Sequence, residues 1–251
     1  MQGRMIKLTQ LTLTALCASV LIACGSGGGD GGDNNPNDKS VPYIGQNAKG
    51  LVGTVMTIDP EKEDRTQAVQ LGNVQAKGLN KIMLDGVAID IMPSHQHRWT
   101  VSNQANGAFK AVCCGQYQFS RLGAVDEGVD KKLFLFYYGM ATEKMPTSGE
   151  AKYSGHSLYL SDNAKEDSYE GDFNMTVDFA TRDITGTIHN RATDITLKGK
   201  ALGNVFGGTA RSSLDKSETR FDAKFYGDNA AEVAGMTNGK SSWGVGFIGK
   251  R

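Results

Sequence analysis

Regular alternation of apolar and polar residues in the C-terminal part of the chain constrains the fold most. In the segment Asp172–Phe179, DFNMTVDF, every second residue is apolar. A period of two places successive side chains on opposite faces of a strand, so one face is buried and the other faces solvent. Similar short segments recur up to the C-terminus, in the order TDITLKGKAL, NVFGGTARSS, RFDAKFYG and SSWGVGFIGK. Evenly spaced strands of this kind favour an antiparallel sheet that closes on itself, because closure removes its edges.

About eight strands enclose an interior that side chains can fill. The sequence therefore predicts a C-terminal eight-stranded antiparallel β-barrel over residues 147–251. One piece within it is helix-like: in DNAAEVAG, Asp228 can cap a helix and Gly235 can end it.

The earlier half of the chain, residues 43–146, also favours strands. KIMLDGVAIDIMP is typical of a hairpin, with Asp85–Gly86 as its two-residue turn. LVGTVMTI and KKLFLFYYG predict two more strands, and the aromatic density of the second indicates burial. No long helical period occurs, so the predicted fold class is all-β, with an N-terminal β-rich domain before the barrel.

The first 23 residues are typical of a secretory signal. Arg4 and Lys7 precede an apolar stretch of roughly 16 residues, LTQLTLTALCASVLIA, which is short of the about 20 that span a membrane. Leu21-Ile22-Ala23-Cys24 resembles the lipobox of bacterial lipoproteins, in which cleavage leaves the cysteine first and lipids are added to it. The alternative is an ordinary signal peptide with an incidental cysteine.

A tether follows Cys24. The segment GSGGGDGGDNNPNDKS, Gly25–Ser40, has no large apolar residue and cannot form a core, so residues 24–42 are predicted to be a lipidated cysteine and a flexible linker. By the usual lipoprotein sorting pattern, Gly25 in place of an aspartate favours the outer membrane. The 27 basic and 27 acidic residues give no basic excess that would indicate nucleic-acid binding.

Two cysteines remain beyond the tether, and they are adjacent: Cys113 and Cys114. Consecutive Cα atoms lie about 3.8 Å apart, closer than in an ordinary disulfide. A vicinal disulfide would therefore need a tight turn, which Gly115 could help to form. Two reduced cysteines facing opposite sides of a strand are an equally weighted alternative.

Catalytic signatures are missing from the sequence. It contains no GxSxG, no HExxH, no P-loop and no dinucleotide fingerprint, and no metal site is predicted. His95 and His97, two residues apart, could together hold a metal ion, or one of them could ligate haem iron, although a solvated loop is the favoured interpretation of this stretch. Trp99 and Tyr117 are candidate binding aromatics, for which burial in the core is the alternative.

Three segments resemble one family. They are FYGDNAAEVAG (Phe225–Gly235), MPTSGEAKYSG (Met145–Gly155) and the lipobox with its tether. Together they are similar to transferrin-binding-protein-B-like surface lipoproteins, which include factor H binding protein and the hemophilins. VCCG with the following QY, Val112–Tyr117, is most similar to the hemophilin branch. The resemblance implies an N-terminal handle domain, residues 43–146, in front of the barrel.

The resemblance also implies a function. Family members are exported by an outer-membrane translocator, the surface lipoprotein assembly modulator, and bind transferrin, factor H or haem. We therefore expect a non-enzymatic lipoprotein on the cell surface that binds a host protein or surface during colonisation. Capture of haem as a nutrient, with His95, His97, Trp99 and Tyr117 as candidate ligand-binding residues, is the alternative.

Overall fold

The computed structural model describes residues 50–59, 61–62, 68–104, 107–128, 131–161, 168–214, 216–237 and 243–251. The predicted signal peptide, the lipidated Cys24 and the tether lie outside the described residues. The described part belongs to one compact unit and is almost entirely β-structure. None of its helices is long and apolar enough to cross a membrane.

The N-terminal part, which we call the handle, has nine strands among its described residues. They are β1 (Leu51–Ile58), β2 (Val69–Asn73), β3 (Gln75–Ala76), β4 (Lys81–Leu84), β5 (Val87–Asp90), β6 (Thr100–Asn103), β7 (Phe109–Cys113), β8 (Ser120–Asp126) and β9 (Leu133–Met140). Six form an antiparallel sheet in the order β2-β1-β9-β8-β7-β6, and the other three form the sheet β3-β4-β5. The predicted hairpin at Asp85–Gly86 is confirmed, since β4 pairs with β5 across it.

The remaining strands close into an eight-stranded antiparallel barrel, as predicted. They are β10 (Glu150–Ser161), β11 (Ser168–Asp178), β12 (Asp183–Asn190), β13 (Asp194–Leu202), β14 (Val205–Ser212), β15 (Glu218–Tyr226), β16 (Glu232–Thr237) and β17 (Trp243–Lys250). Each strand pairs with the next in sequence, and β17 returns to pair with β10. The sheet therefore has no free edge.

The alternating residues fill the barrel interior. Phe173, Met175 and Val177 of β11 are buried in one cluster with Val245 and Phe247 of β17. The rings of Phe173 and Phe247 stack with centroids 4.8 Å apart. The interior is thus a packed core of apolar side chains, as the period of two predicts.

The helix predicted at DNAAEVAG is wrong. Asp228–Ala230 form a single 3-10 turn, and β16 begins at Glu232. Asn229 and Ala230 have positive φ angles, which an α-helix cannot contain. Gly235 lies inside β16, where a Cβ atom would come within 2.3 Å of the Ala223 Cβ on the neighbouring strand. The glycine is required by close strand packing and does not end a helix.

Both faces of β8 and β9, in the middle of the large handle sheet, are buried, which fits the apolar run in β9. Phe134, Phe136 and Tyr138 pack under the small sheet, together with Ile82 and Leu84 of β4. Residues of the opposite face, among them Leu135 and Tyr137, pack on the outside of the barrel.

The handle approaches the barrel closely where β17 has no side chain. At Gly246 a Cβ atom would lie only 2.7 Å from Leu122 Cδ1 of β8.

The predicted strand in KKLFLFYYG and its burial are confirmed.

Candidate functional site

Two handle segments that carry the predicted site residues lie side by side. One is the stretch 91–99 between β5 and β6, and the other is the turn 114–119 between β7 and β8. The amide of Gly115 donates to the carbonyl of His95 at 2.8 Å, and the amide of Gln116 donates to the carbonyl of Gln96 at 3.0 Å. We call the group of His97, Cys113, Cys114 and His156 around this junction the histidine–cysteine site.

The imidazole of His97 is exposed and is oriented by a neighbour. Its Nδ1 lies 2.9 Å from Gln116 Oε1, and because a carbonyl oxygen only accepts, Nδ1 carries the proton. Nε2 of His97 is then the basic nitrogen. His95 is also exposed and contributes its backbone carbonyl to the junction. The stretch is a loop, in agreement with the favoured interpretation from the sequence.

Tyr117 belongs to the core and reaches a barrel residue. It is 1% exposed, and its Oη lies 2.9 Å from Nδ1 of His156 in β10 and 3.4 Å from the carbonyl oxygen of Ile248. Burial raises the pKa of the Tyr117 phenol, so it stays protonated at neutral pH. The two rings meet edge to face, with centroids 6.0 Å apart.

His156 links the barrel to the handle and is the residue that sequence reasoning missed. Its Nε2 lies 3.3 Å from the carbonyl oxygen of His97, while its Nδ1 faces Tyr117. In the sequence His156 is only a polar position in an amphipathic strand, and nothing there signals that it faces the handle. Docking of the handle, a long-range event, gives His156 its partners.

Cys113 and Cys114 lie beneath this junction. Both are fully buried, and in the structure they are joined as a vicinal disulfide. The sulfur atoms and an imidazole nitrogen of His156 all lie within 4.8 Å of one another. Trp99 packs in the same cluster and is 6% exposed, and its indole N–H has no hydrogen-bond partner among the described residues.

A groove opens beside His156, with a volume of about 330 Å³. Its lining is formed by Gln116, Ser154, Gly155, His156, Asp172, Phe173, Asn174 and Lys250. Most of these side chains are polar, and Phe173 is fully buried. A haem macrocycle needs apolar walls on both faces, so the groove does not fit haem.

Two further polar residues fix the turn that carries Tyr117. The carboxylate of Glu232 in β16 accepts from the amides of Gln118 and Phe119, at 2.6 and 3.1 Å, and from Ser120 Oγ at 2.7 Å. Burial raises the pKa of this carboxyl group, and the hydrogen bonds act in the opposite direction. On the handle side, the guanidinium of Arg121 donates to the carbonyl of Ser120 at 2.7 Å.

A second buried polar cluster joins β1, β9 and β15. Tyr137 donates a short hydrogen bond to Asp222 Oδ2, and Thr54 Oγ1 lies 3.1 Å from each of these groups. Lys224 Nζ donates to Tyr137 Oη at 3.0 Å, and burial lowers the pKa of this ammonium group. Both polar clusters are closed by hydrogen bonds between handle and barrel, so they hold the two parts in one fixed arrangement.

The fold places this protein in the class of eight-stranded barrels that carry a β-sheet handle, and known proteins share that fold. Residues 145–251 match the family model for the C-lobe and N-lobe beta barrels of Tf-binding protein B. The structure of isotype 1 transferrin binding protein B from serogroup B Neisseria meningitidis has a TM-score of 0.61 and 23% identity, over 80% of this chain and 43% of that chain. The protein thus has a transferrin-binding-protein-B-like fold, as its sequence motifs predicted.

Other relatives agree on the fold. A transferrin binding protein B double mutant from Haemophilus parasuis has a TM-score of 0.59 and 20% identity, over 81% of this chain and 45% of that chain. The chain therefore spans about half the length of these matched structures. A crystal structure described as a surface lipoprotein has a TM-score of 0.51 and 16% identity, over 79% of this chain and 98% of that chain. An uncharacterized protein of Haemophilus influenzae is 27% identical over 98% of this chain and 99% of its own length.

Proposed function

We propose that this protein is a non-enzymatic lipoprotein that is displayed on the outer-membrane surface and binds a host protein through its handle during colonisation. The relatives named as transferrin-binding proteins support recognition of a host protein. The lipobox at Cys24 and the tether behind it support anchoring by lipid. Export by the surface lipoprotein assembly modulator is the route that the family resemblance implies.

The distribution of exposed apolar side chains carries the proposal. Among the described residues, six large hydrophobic side chains are exposed, and five of them belong to the handle. They are Leu71, Val87, Met92, Val101 and Met140, whereas Leu214 is the barrel member. Apolar side chains that group into an exposed patch mark a surface that a partner covers, and the handle has five of the six candidates for such a patch. The handle is therefore the part with the composition of a recognition surface.

The buried acids and bases support the non-enzymatic part. Glu232 and Asp222 bind handle groups at the contact between the two parts, and neither lines the groove beside His156. The groove is lined by one carboxylate, Asp172, and not by the facing pair that glycoside hydrolysis requires. Glu232 and Asp222 instead satisfy protein donors, which is a structural task.

A whole-cell binding assay tests the proposal. Bacteria that display the full chain are incubated with labelled host serum, and the retained proteins are quantified for wild type, Val101→Asp and Leu214→Asp. The two replaced side chains are 53% and 71% exposed, so neither change disturbs a core. We expect retention to fall about tenfold or more for Val101→Asp, since a central contact contributes about 2 kcal/mol, and to be unchanged for Leu214→Asp.

Two outcomes would contradict the proposal. One is equal retention by both variants and wild type. The other is full retention by cells without the translocator, in which added protease fails to reach the chain. Capture of haem stays a prediction from the sequence, and the polar lining of the groove beside His156 does not favour it.

A further inference from the structure

The histidine–cysteine site contains two sulfur atoms and the imidazole of His156, and binding of a host protein does not require these groups. Cys113, Cys114 and His156 bring two sulfur atoms and an imidazole nitrogen within 4.8 Å of one another. Thiolate and imidazole are the ligands that soft d10 metal ions prefer. Within the described residues, this is the one group of three such side chains with that spacing.

We propose that Cys113, Cys114 and His156 form a redox-gated binding site for one soft d10 metal ion, Zn²⁺ or Cu⁺. In the disulfide form the sulfur atoms are bonded to each other and the site is closed. In the dithiol form both sulfurs and the imidazole bind the ion. Three protein ligands leave one position open for a tetrahedral ion.

The opening step requires an external dithiol. Its two thiol groups transfer two electrons and two protons to the Cys113–Cys114 bond, so the dithiol becomes a disulfide and the protein gains two thiols. The metal ion then displaces both thiol protons, because the thiolate is the ligand. Oxidation by a disulfide reverses the exchange and releases the ion.

One member of the site, His156, is reached from solvent. The two cysteines are fully buried, but His156 lines the groove of about 330 Å³ that opens to solvent. Neither cysteine lines the groove, but both sulfur atoms lie within 4.8 Å of an imidazole nitrogen of His156, so an ion held by the imidazole is close to them.

The imidazole can also change partner while keeping its orientation. Its Nδ1 keeps the contact of 2.9 Å with Tyr117 Oη, an outer-shell partner of the kind that metal-binding histidines usually have. The contact of Nε2 with the carbonyl oxygen of His97 is long, at 3.3 Å, so it is the weaker of the two to give up. Because a carbonyl oxygen only accepts, Nε2 carries the ring proton in this contact. That proton moves to Nδ1, which then donates to Tyr117 Oη, and Nε2 is left with a free lone pair for the ion.

Cadmium titration of the full chain tests the site. The protein is reduced with dithiothreitol, freed of it under nitrogen and titrated with Cd²⁺, while sulfur-to-cadmium charge-transfer absorption and bound metal are measured. We expect the reduced chain to bind one Cd²⁺ more than the oxidised chain. It should also bind one more than the reduced double variant Cys113→Ser/Cys114→Ser. This variant keeps Cys17 and Cys24, so it measures any Cd²⁺ that those two cysteines bind. His156→Ala should weaken the affinity about tenfold or more, and the exposed control His189→Ala should not.

A measurement without variants covers the case in which a substitution prevents folding. Iodoacetamide alkylation of Cys113 and Cys114 in the reduced wild type is followed by peptide mass spectrometry, with and without Zn²⁺. We expect Zn²⁺ to slow alkylation of both cysteines. Equal alkylation rates, equal cadmium uptake by the cysteine variant, or full affinity in His156→Ala would each overturn the proposal, and none of them bears on host-protein binding.

Discussion

Glu232 shows at the scale of one residue how a buried carboxylate can fix the position of the handle on the barrel. Its two carboxylate oxygens accept three hydrogen bonds from the handle turn at Gln118, Phe119 and Ser120. The residue is 4% exposed, so hydrogen bonds of this kind must offset its desolvation. Glu232 belongs to the FYG-containing segment that identified the family resemblance, and the structure shows one physical reason for an acid at that place.

Truncation of Glu232 should be strongly destabilising. Glu232→Ala leaves three donors without an acceptor in a closed interface, and breaking such a buried arrangement costs about 3 kcal/mol or more. The free energy of unfolding, measured by urea denaturation at pH 7, should fall by that amount. Glu150→Ala, at an exposed position on β10, is the control and should change the free energy by less than about 0.5 kcal/mol. A loss of the same small size for Glu232→Ala would contradict the role assigned here.

The raised pKa of Glu232 gives the pH dependence a definite sign. A carboxyl group whose pKa is higher in the folded chain binds its proton more tightly there than in the unfolded chain. The stability it contributes is fully present below the unfolded pKa of about 4.3 and is lost as the pH rises through the folded pKa. Glu232→Gln cannot titrate. The free energy of unfolding of the wild type minus that of Glu232→Gln should therefore fall as the pH rises from 4 to 7. Urea denaturation at each pH measures it, and a difference that grows over this range would refute the assignment.

At the scale of one element, β9 joins the two hydrophobic layers of the handle. Phe134, Phe136 and Tyr138 face the small sheet, while Leu135 and Tyr137 face the barrel. The continuous apolar run LFLFYY predicts a strand buried on both faces, and this much could be predicted from the sequence. Which partner covers each face could not, because both partners lie far away along the chain and are selected by the tertiary fold.

Substitution on the barrel-facing side of β9 tests this packing. Leu135 is fully buried, so Leu135→Ala should lower the free energy of unfolding by about 2–5 kcal/mol through loss of contacts and formation of a cavity. Met140, at the end of the same strand, is 47% exposed, and Met140→Ala should cost less than about 1 kcal/mol. Urea denaturation compares the two variants. Similar costs would show that the barrel does not cover this face of β9.

The candidate site shows the same division between local and long-range information. The period of two predicted the barrel core, and the polar composition around His95 predicted a loop, because each depends on nearby residues. It could not predict that His156 meets Tyr117, since β10 and the turn after β7 come together only when the handle docks. Trp99 and Tyr117, considered from the sequence as binding aromatics, are buried for the same reason.

At the scale of the whole molecule, the handle and the barrel share one hydrophobic cluster. Met56, Leu122 and Leu135 of the handle pack against Met236 and Ile248 on the outer face of the barrel. Two buried polar clusters, around Glu232 and around Tyr137, reinforce this contact. An interface with an apolar centre and two hydrogen-bonded polar clusters resembles a domain core, so the two parts should unfold as one cooperative unit.

The two tryptophans allow a direct test, because one lies in each part. Trp99 is buried in the handle and Trp243 in the barrel, where it stacks on Tyr159 with centroids 6.2 Å apart. In Trp99→Phe the fluorescence reports the barrel, and in Trp243→Phe it reports the handle. Within each variant, we expect the urea midpoint by fluorescence to coincide with the midpoint by far-ultraviolet circular dichroism, although the two variants differ in stability. If the Trp99 signal in Trp243→Phe is lost at a lower urea concentration than the dichroism, the handle unfolds first and the shared core does not couple it to the barrel. A handle that stays folded as long as the barrel does would hold its exposed apolar residues in a fixed arrangement for a partner, which recognition by preformed contacts requires.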